Sequence, residues 1–217
     1  MIRYAAWLQT LIALAAIAAL PFPGTAQLAP ADADTVGLAM RDGSRLWLEG
    51  DSNLHPWSCE AQAITPEVIV SRREPTSNPD RIRAAQIIVP VAGIECGNRR
   101  MNSNLFAALD AEHHGEIRFI VSDASFVDTG VQGFLAVDVT GTLTVKGVSQ
   151  PITLTVTGSD TGDGGLRVQG RVAMRLTDYG IEPPTALMGL LKTSNDVVVL
   201  FDIVFDYADV EGRLRGW

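Results

Sequence analysis

The chain has 217 residues, 47% of them hydrophobic and 19% charged, which suits one globular domain, two at most, with a sizeable core. Its 17 Lys and Arg stand against 25 Asp and Glu, a net charge of -8 that repels phosphate backbones and anionic lipid surfaces. Neither nucleic acid as a partner nor stable membrane insertion is expected.

Residues 1–26 read as a secretory signal peptide. Arg3 supplies a positive start, Leu8 to Leu20 is apolar apart from Gln9 and Thr10, and Gly24-Thr25-Ala26 ends the segment in small residues. The alternative is an uncleaved anchor, but the apolar run falls short of the ~20 residues that span a bilayer, and Pro21 and Pro23 follow at once. The mature chain is therefore expected outside the cytoplasm, in the periplasm. In such an oxidising compartment the two cysteines, Cys59 and Cys96, favour a disulfide, with two buried thiols as the alternative.

Residues 27–42, rich in Ala and Asp, read as a leader without its own core, 43–208 as the folded domain and 209–217 as a tail. A first strand is expected at Ser44 to Gly50, with Leu46 and Leu48 on one face and Trp47 and Glu49 on the other. Asp51 to Trp57 turns the chain. Ser58 to Val70 reads as a second strand, broken or bent at Pro66, and Ser71 to Arg81 as a polar surface loop. The third strand carries Arg83, Ala85, Ile87, Val89 and Val91 on one parity and ends near Cys96. Asn102 or Ser103 can cap a short helix to about Ala111, with Leu105, Phe106 and Leu109 at helical spacing, placed to cover one end of a barrel.

Ile117, Phe119 and Val121 mark a fourth strand running to Phe126. The clearest alternation follows. Leu135, Val137, Val139, Leu143 and Val145 share one parity against Ala136, Asp138, Thr140, Thr142 and Thr144, and Ile152, Leu154 and Val156 alternate with Thr153, Thr155 and Thr157. Lys146 to Gln150 joins the two runs, with Gly147 free to take positive φ and Pro151 opening the second strand. A seventh strand has Leu166, Val168, Gly170, Val172, Met174 and Leu176 on its apolar parity. A loop from Asp178 to Lys192 has room for a helical turn at Ala186 to Leu191. The last strand, Asp196 to Tyr207, aligns Val197, Val199, Phe201, Ile203 and Phe205.

Eight half-apolar strands at hairpin spacing, with one short helix after the third, predict an all-β fold, an extended eight-stranded antiparallel barrel. A barrel of that size is either filled by its own side chains or holds one small ligand. Inward rows of Val, Leu and Ile, with gaps at Gly141 and Gly170 and only 6% aromatic residues overall, favour an elongated apolar lumen. No catalytic residue can be nominated: there is no GxSxG elbow, HExxH helix or phosphate-cradling loop, and the carboxylates are scattered. The adjacent His113 and His114 are expected to diverge, and His55 lies between strands, so no metal or cofactor is expected. A small outer-membrane barrel is the rival architecture. It would turn the apolar parity outward and needs aromatic girdles, for which Tyr 3 and Trp 4 are few.

The segment GTLTVKGVSQPITLTV, Gly141 to Val156, resembles the strand-turn-strand signature of the YceI family, exported lipocalin-like proteins that bind polyisoprenoids and other amphipathic lipids. SRLWLEGDSNLHPW, MNSNLFAALDAEHHGEIRF and RLTDYGIEPP are similar to further parts of that pattern, although His114-Gly115 stands where the family has a proline. The cysteine pair is similar to that of a subgroup with one cysteine after the first tryptophan and one before the helix. The resemblance implies a non-catalytic, lipocalin-like barrel with a lipid in its lumen. The lipid-lining candidates are then Phe119, Leu135, Val137, Val139, Leu143, Ile152, Leu154, Val156, Val168, Val172, Met174, Phe201 and Ile203. Arg99, Arg100 and Lys192 are placed to meet a charged head group. Whether two chains pair as a homodimer is left open.

Overall fold

The computed structural model describes residues 35–71, 82–127, 134–186 and 190–206. The expected signal segment and C-terminal tail lie outside the described residues. Twelve strands are present: β1 (Thr35–Met40), β2 (Arg45–Ser52), β3 (Trp57–Ala61), β4 (Thr65–Ser71), β5 (Ile82–Pro90), β6 (Ile94–Glu95), β7 (Glu116–Val127), β8 (Phe134–Val145), β9 (Val148–Asp160), β10 (Gly165–Arg175), β11 (Thr185–Ala186) and β12 (Leu191–Asp206). Among the described residues one α-helix, α1 (Arg99–Leu109), lies between β6 and β7.

Three pairs of these strands are single wall strands interrupted in the middle. β1 and β2 both pair with β12, through Met40–Phe205 and Leu46–Phe201. β4 pairs with β1 while β3 pairs with β2, and β5 pairs with β4 while β6 pairs with β3. The wall then runs β7, β8, β9, β10, β12 and returns to β1 and β2, so eight antiparallel wall strands close into a barrel. This agrees with the count and order expected from the sequence.

Several boundaries differ. Residues 35–40, assigned by sequence to a leader, are wall strand: Thr35 to Leu38 pair with Ser71 to Val68, and Val36 and Leu38 continue the apolar parity of Leu46 and Leu48 across the break at Arg41 to Ser44. The second strand breaks at Gln62 to Ile64, not at Pro66, which sits inside β4 opposite Ile87. The β8–β9 turn is only Lys146-Gly147, both at positive φ (50° and 74°), the two-residue loop whose twist matches paired strands. Pro151 therefore does not open β9 but lies within it, opposite Thr142. The helical turn expected at Ala186 to Leu191 is replaced at its ends by an Ala186–Leu191 strand pair, and 187–189 lie outside the described residues.

Helix α1 starts earlier than Asn102. Its N-cap is Asn98, whose side-chain oxygen accepts from Met101 N at 2.9 Å, satisfying one orphan donor of the first turn. The Asn102 side chain is free for another task and accepts from Cys96 N at 2.8 Å. The helix ends at Asp110 in the left-handed region (φ 51°), which turns the chain into β7.

Two buried clusters meet under α1. Cys59, Ala61, Val89, Ile94 and Cys96 form one, with Met101 and Leu105 of the helix packed on it. Val91, Leu109, Val145, Tyr179 and Ile181 form the other, under Leu105, Phe106 and the 3-10 turn Leu176–Tyr179. Val91, Ile94, Tyr179 and Ile181 are at most 2% exposed. This end of the barrel is therefore sealed by the hydrophobic effect acting on the helix and turn together.

Candidate functional site

Residues directly opposite each other in an antiparallel pair share a face, so the register fixes which side chains look inward. Val137–Val156, Val139–Leu154, Val172–Val199 and Gly170–Phe201 place the odd row of β8, the even rows of β9 and β10 and the odd row of β12 on one face. Alternate burial agrees: in β10 the even positions Leu166 to Met174 are covered while the odd positions Arg167 to Arg175 are exposed. A bulge between Val121 and Asp123 shifts the inward parity of β7, from Phe119 and Val121 to Ala124.

All the lining candidates named from sequence thus share the inner face. They are not equally available to a ligand. Val139, Leu154 and Ile203 are buried, Ile203 at 1% exposure, and are packed into the wall. Phe119, Leu135, Val137, Leu143, Ile152, Val156, Val168, Val172, Met174 and Phe201 are only half-buried. Of these, Leu143 and Met174 pack against the buried cluster under α1.

The inner face is almost wholly apolar. Over residues 135–145, 148–158, 166–174 and 197–205 its one polar side chain is Gln150, and the Gln150 amide donates to the Asp178 carbonyl at 2.8 Å. No ionisable group stands in these rows of β8, β9, β10 and β12. Arg99, Arg100 and Lys192 are exposed at the helix-bearing end, outside the lumen. The same inner rows continue onto strands whose lining the sequence reading did not nominate: Leu46 and Leu48 of β2 oppose Phe201 and Val199, and Val68 of β4 opposes Ala85. The period-two alternation of Leu46 and Leu48 was the signal available.

The two glycines expected as gaps in the inner wall are covered by aromatic rings. A Cβ at Gly141 would lie 2.5 Å from Phe119 Cε2, and one at Gly170 would lie 2.9 Å from Phe201 Cε1. The rings lie over the neighbouring strand, in the space that a side chain there would need.

The outer face carries ion pairs beside apolar residues such as Ile120, Val198 and Leu200. Arg45 pairs with Glu60 at 2.7 Å and stacks 5.1 Å from the Trp47 ring centroid; Arg167 pairs with Asp202, which also accepts from Gln169 at 3.1 Å. The Arg45 hydrogen bond holds the Glu60 carboxyl below its ordinary range, and the Arg167 hydrogen bond does the same for Asp202. At the end opposite α1, Arg41 bridges Asp206 and Asp163, the latter at 2.9 Å, and this raises the Arg41 guanidinium. His113 and His114 do not diverge as expected: the turn after α1 brings both to Asp110, at 2.8 and 4.0 Å. The Asp110 hydrogen bond raises His113. Among the described residues no three His, Cys, Asp or Glu side chains stand together as a metal site.

Cys59 and Cys96 are joined in a disulfide, with Cα atoms 4.0 Å apart. It ties β3 to the segment that leads into α1, at the sealed end.

A closed eight-stranded antiparallel barrel, helix-sealed at one end and lined by half-buried aliphatic rows, defines a lipocalin-like class. The YceI-like domain model matches residues 61–205, and the chain belongs to that family. Solved structures share the fold. The Burkholderia cenocepacia protein BcnA is 18% identical with a TM-score of 0.58, covering 74% of this chain and 95% of that one. A polyisoprenoid binding domain from Saccharophagus degradans, implicated in plant cell wall breakdown, is 17% identical with a TM-score of 0.56, covering 78% and 97%. The Campylobacter jejuni YceI protein is 16% identical with a TM-score of 0.50, covering 67% and 82%. A comparison with curated proteins gives no match.

Proposed function

We propose that the mature chain is an exported, non-catalytic lipid-binding protein that holds a polyisoprenoid, or a similar amphipathic lipid, in the barrel lumen as a carrier or store. The observation that carries this reading is the set of inward aliphatic rows that remain half-buried in a barrel closed all round. Surface of that kind favours a hydrocarbon chain, at roughly 25 cal/mol per Å² removed from water. A five-carbon prenyl unit is then worth on the order of 3–4 kcal/mol before the costs of association. Because the inner rows of β8, β9, β10 and β12 lack charge, the ligand's polar head is placed away from them, toward the mouth.

Membership of the YceI-like family and the polyisoprenoid-binding domain among the structural relatives support the choice of ligand class. The disulfide fits an oxidising, periplasmic location. On β9 and β10 the outward residues Thr153, Thr155, Thr157 and Arg167, Gln169, Arg171 are polar and exposed, unlike the apolar outer band of a membrane barrel, while β12 turns Val198, Leu200 and Val204 outward. The test is organic extraction of the purified mature protein followed by mass spectrometry, with polyprenol uptake measured on the extracted protein. A co-purifying long-chain species and stoichiometric uptake are expected; repeated absence of both overturns the reading.

A further inference from the structure

Three glycines on the inner face are each overlaid by an aromatic ring from a neighbouring strand. Gly170 of β10 lies directly opposite Phe201 of β12, Gly50 of β2 opposite Trp57 of β3, and Gly141 of β8 opposite Val121, two pairs along from Phe119 of β7. A Cβ at Gly170 would stand 2.9 Å from Phe201 Cε1 and closer still to Cζ. At Gly50 it would stand 2.5 Å from Trp57 Cε2, and at Gly141 2.5 Å from Phe119 Cε2. In each case ring atoms far from the aromatic residue's own backbone sit over the glycine, so the ring lies along the wall.

An aromatic ring laid on the wall takes only its thickness from the bore, whereas one pointing at the barrel axis takes its full length. Glycine is the residue that allows the flat position, because any side chain would occupy the same space. None of the three has the positive φ that would explain a glycine by backbone conformation. Phe119 and Phe201 come from β7 and β12, on separate parts of the wall, whereas Trp57 packs against the Cys59 cluster under α1.

We infer that these glycine–aromatic pairs set the bore of the lumen and make it wide enough for a methyl-branched prenyl chain, which a bore limited to a straight alkyl cross-section would exclude. This rests on the lipid-binding reading above and adds to it the feature that distinguishes one hydrocarbon from another. Aliphatic rows bind any greasy chain; only the width discriminates. A prenyl chain carries a methyl on every fourth main-chain carbon and needs the wider tube.

Gly170 is the position to change. At Gly141 the added Cβ would also meet the Ile120 carbonyl at 2.5 Å, so a substitution there moves backbone as well as a ring. At Gly50 the indole is anchored, with Trp57 Nε1 donating to the Asp51 carbonyl at 3.1 Å. At Gly170 the close atoms all belong to Phe201, whose ring is half-buried and has the lumen to turn into. Gly170→Ala should therefore swing Phe201 inward and narrow the tube.

The experiment compares binding of geranylgeraniol and of the straight-chain alcohol of equal carbon number to extracted protein. Gly170→Ala should weaken the branched alcohol at least about tenfold, a loss of about 1.4 kcal/mol, while leaving the straight one within about threefold. Adding Phe201→Leu to Gly170→Ala removes the displaced ring and should restore the branched ligand. Phe201→Trp, which keeps Gly170 and enlarges the ring, should reproduce the selective loss and decides the matter if Gly170→Ala does not fold. A folded Gly170→Ala or Phe201→Trp protein with the wild-type ratio of affinities overturns the inference, as does equal loss of both ligands that Phe201→Leu does not rescue. Wild-type protein that takes up neither alcohol overturns the lipid-binding reading, and this inference with it.

Discussion

Removing the Cys59–Cys96 bond by the paired substitution Cys59→Ala and Cys96→Ala should cost the protein a large share of its stability without changing the lumen. The bond closes a segment with a sequence separation of 37. On the chain-entropy model a loop of that length is worth about 4 kcal/mol through restriction of the unfolded chain. For a domain of 150–250 residues each kcal/mol moves the melting temperature by roughly 2–4 °C, so Tm should fall by about 8–16 °C. Both sulfurs are buried, Cys59 at 2% and Cys96 at 6% exposure, so mild reductant alone should leave native protein oxidised and reduce it only once the sealed end opens. The assay is a thermal melt of wild type with and without reductant, beside the paired variant, with lipid uptake measured at low temperature. A Tm shift under about 3 °C, or prompt reduction of the folded protein, would refute the stapling role assigned to this bond.

Val172→Arg and Ala173→Arg differ by one residue and should differ completely in effect: the inward charge, with no partner in an apolar row, should abolish lipid uptake and destabilise by several kcal/mol, while the outward one is tolerated. Asn98→Ala removes the helix N-cap and should cost about 1 kcal/mol, read as a Tm loss of roughly 2–4 °C. Asp202, held below its ordinary range by the Arg167 hydrogen bond, contributes stability that is complete above the unfolded carboxylate pKa and lost as pH falls through the folded one. Arg167→Met should flatten that acid limb in urea titrations run against pH. His113 has the opposite sign: raised by Asp110, it contributes below the unfolded imidazole pKa and loses that contribution as pH rises through the folded value. His113→Gln should remove the decline across that interval.

The parts of the fold that were legible in the sequence are those where one face is buried and the other wet. Period two is plain in Leu135 to Val145 and in Ile152 to Val156 because Thr and Asp fill the opposite row, and the closed order of eight wall strands followed from those rows and their spacing. What stayed hidden depends on partners distant in the chain. Thr35 to Met40 reads as leader because its alternation is short and its partners, Val68 to Ser71 and Phe205 to Asp206, are far away. Pro66 and Pro151 read as breaks or strand starts, yet both sit within strands, where a single missing donor is absorbed. The helix start was misplaced because Asn98, Asn102 and Ser103 all suit a cap, and only the contacts show Asn98 capping while Asn102 serves Cys96. The inner glycines looked like gaps because a sequence does not show a ring from another strand filling them.

The strand that closes the wall is also the last one described. β12 pairs with β10 along its length, and on its other side with β2 and β1, joining residues as distant as Ala39 and Asp206. A chain that emerges N-terminus first therefore holds the edges of β2 and β10 unpaired until β12 has followed. Contacts of such long sequence separation form slowly. Ring closure waits on β12, and until it pairs the greasy rows form an open sheet whose edges a neighbouring chain can join.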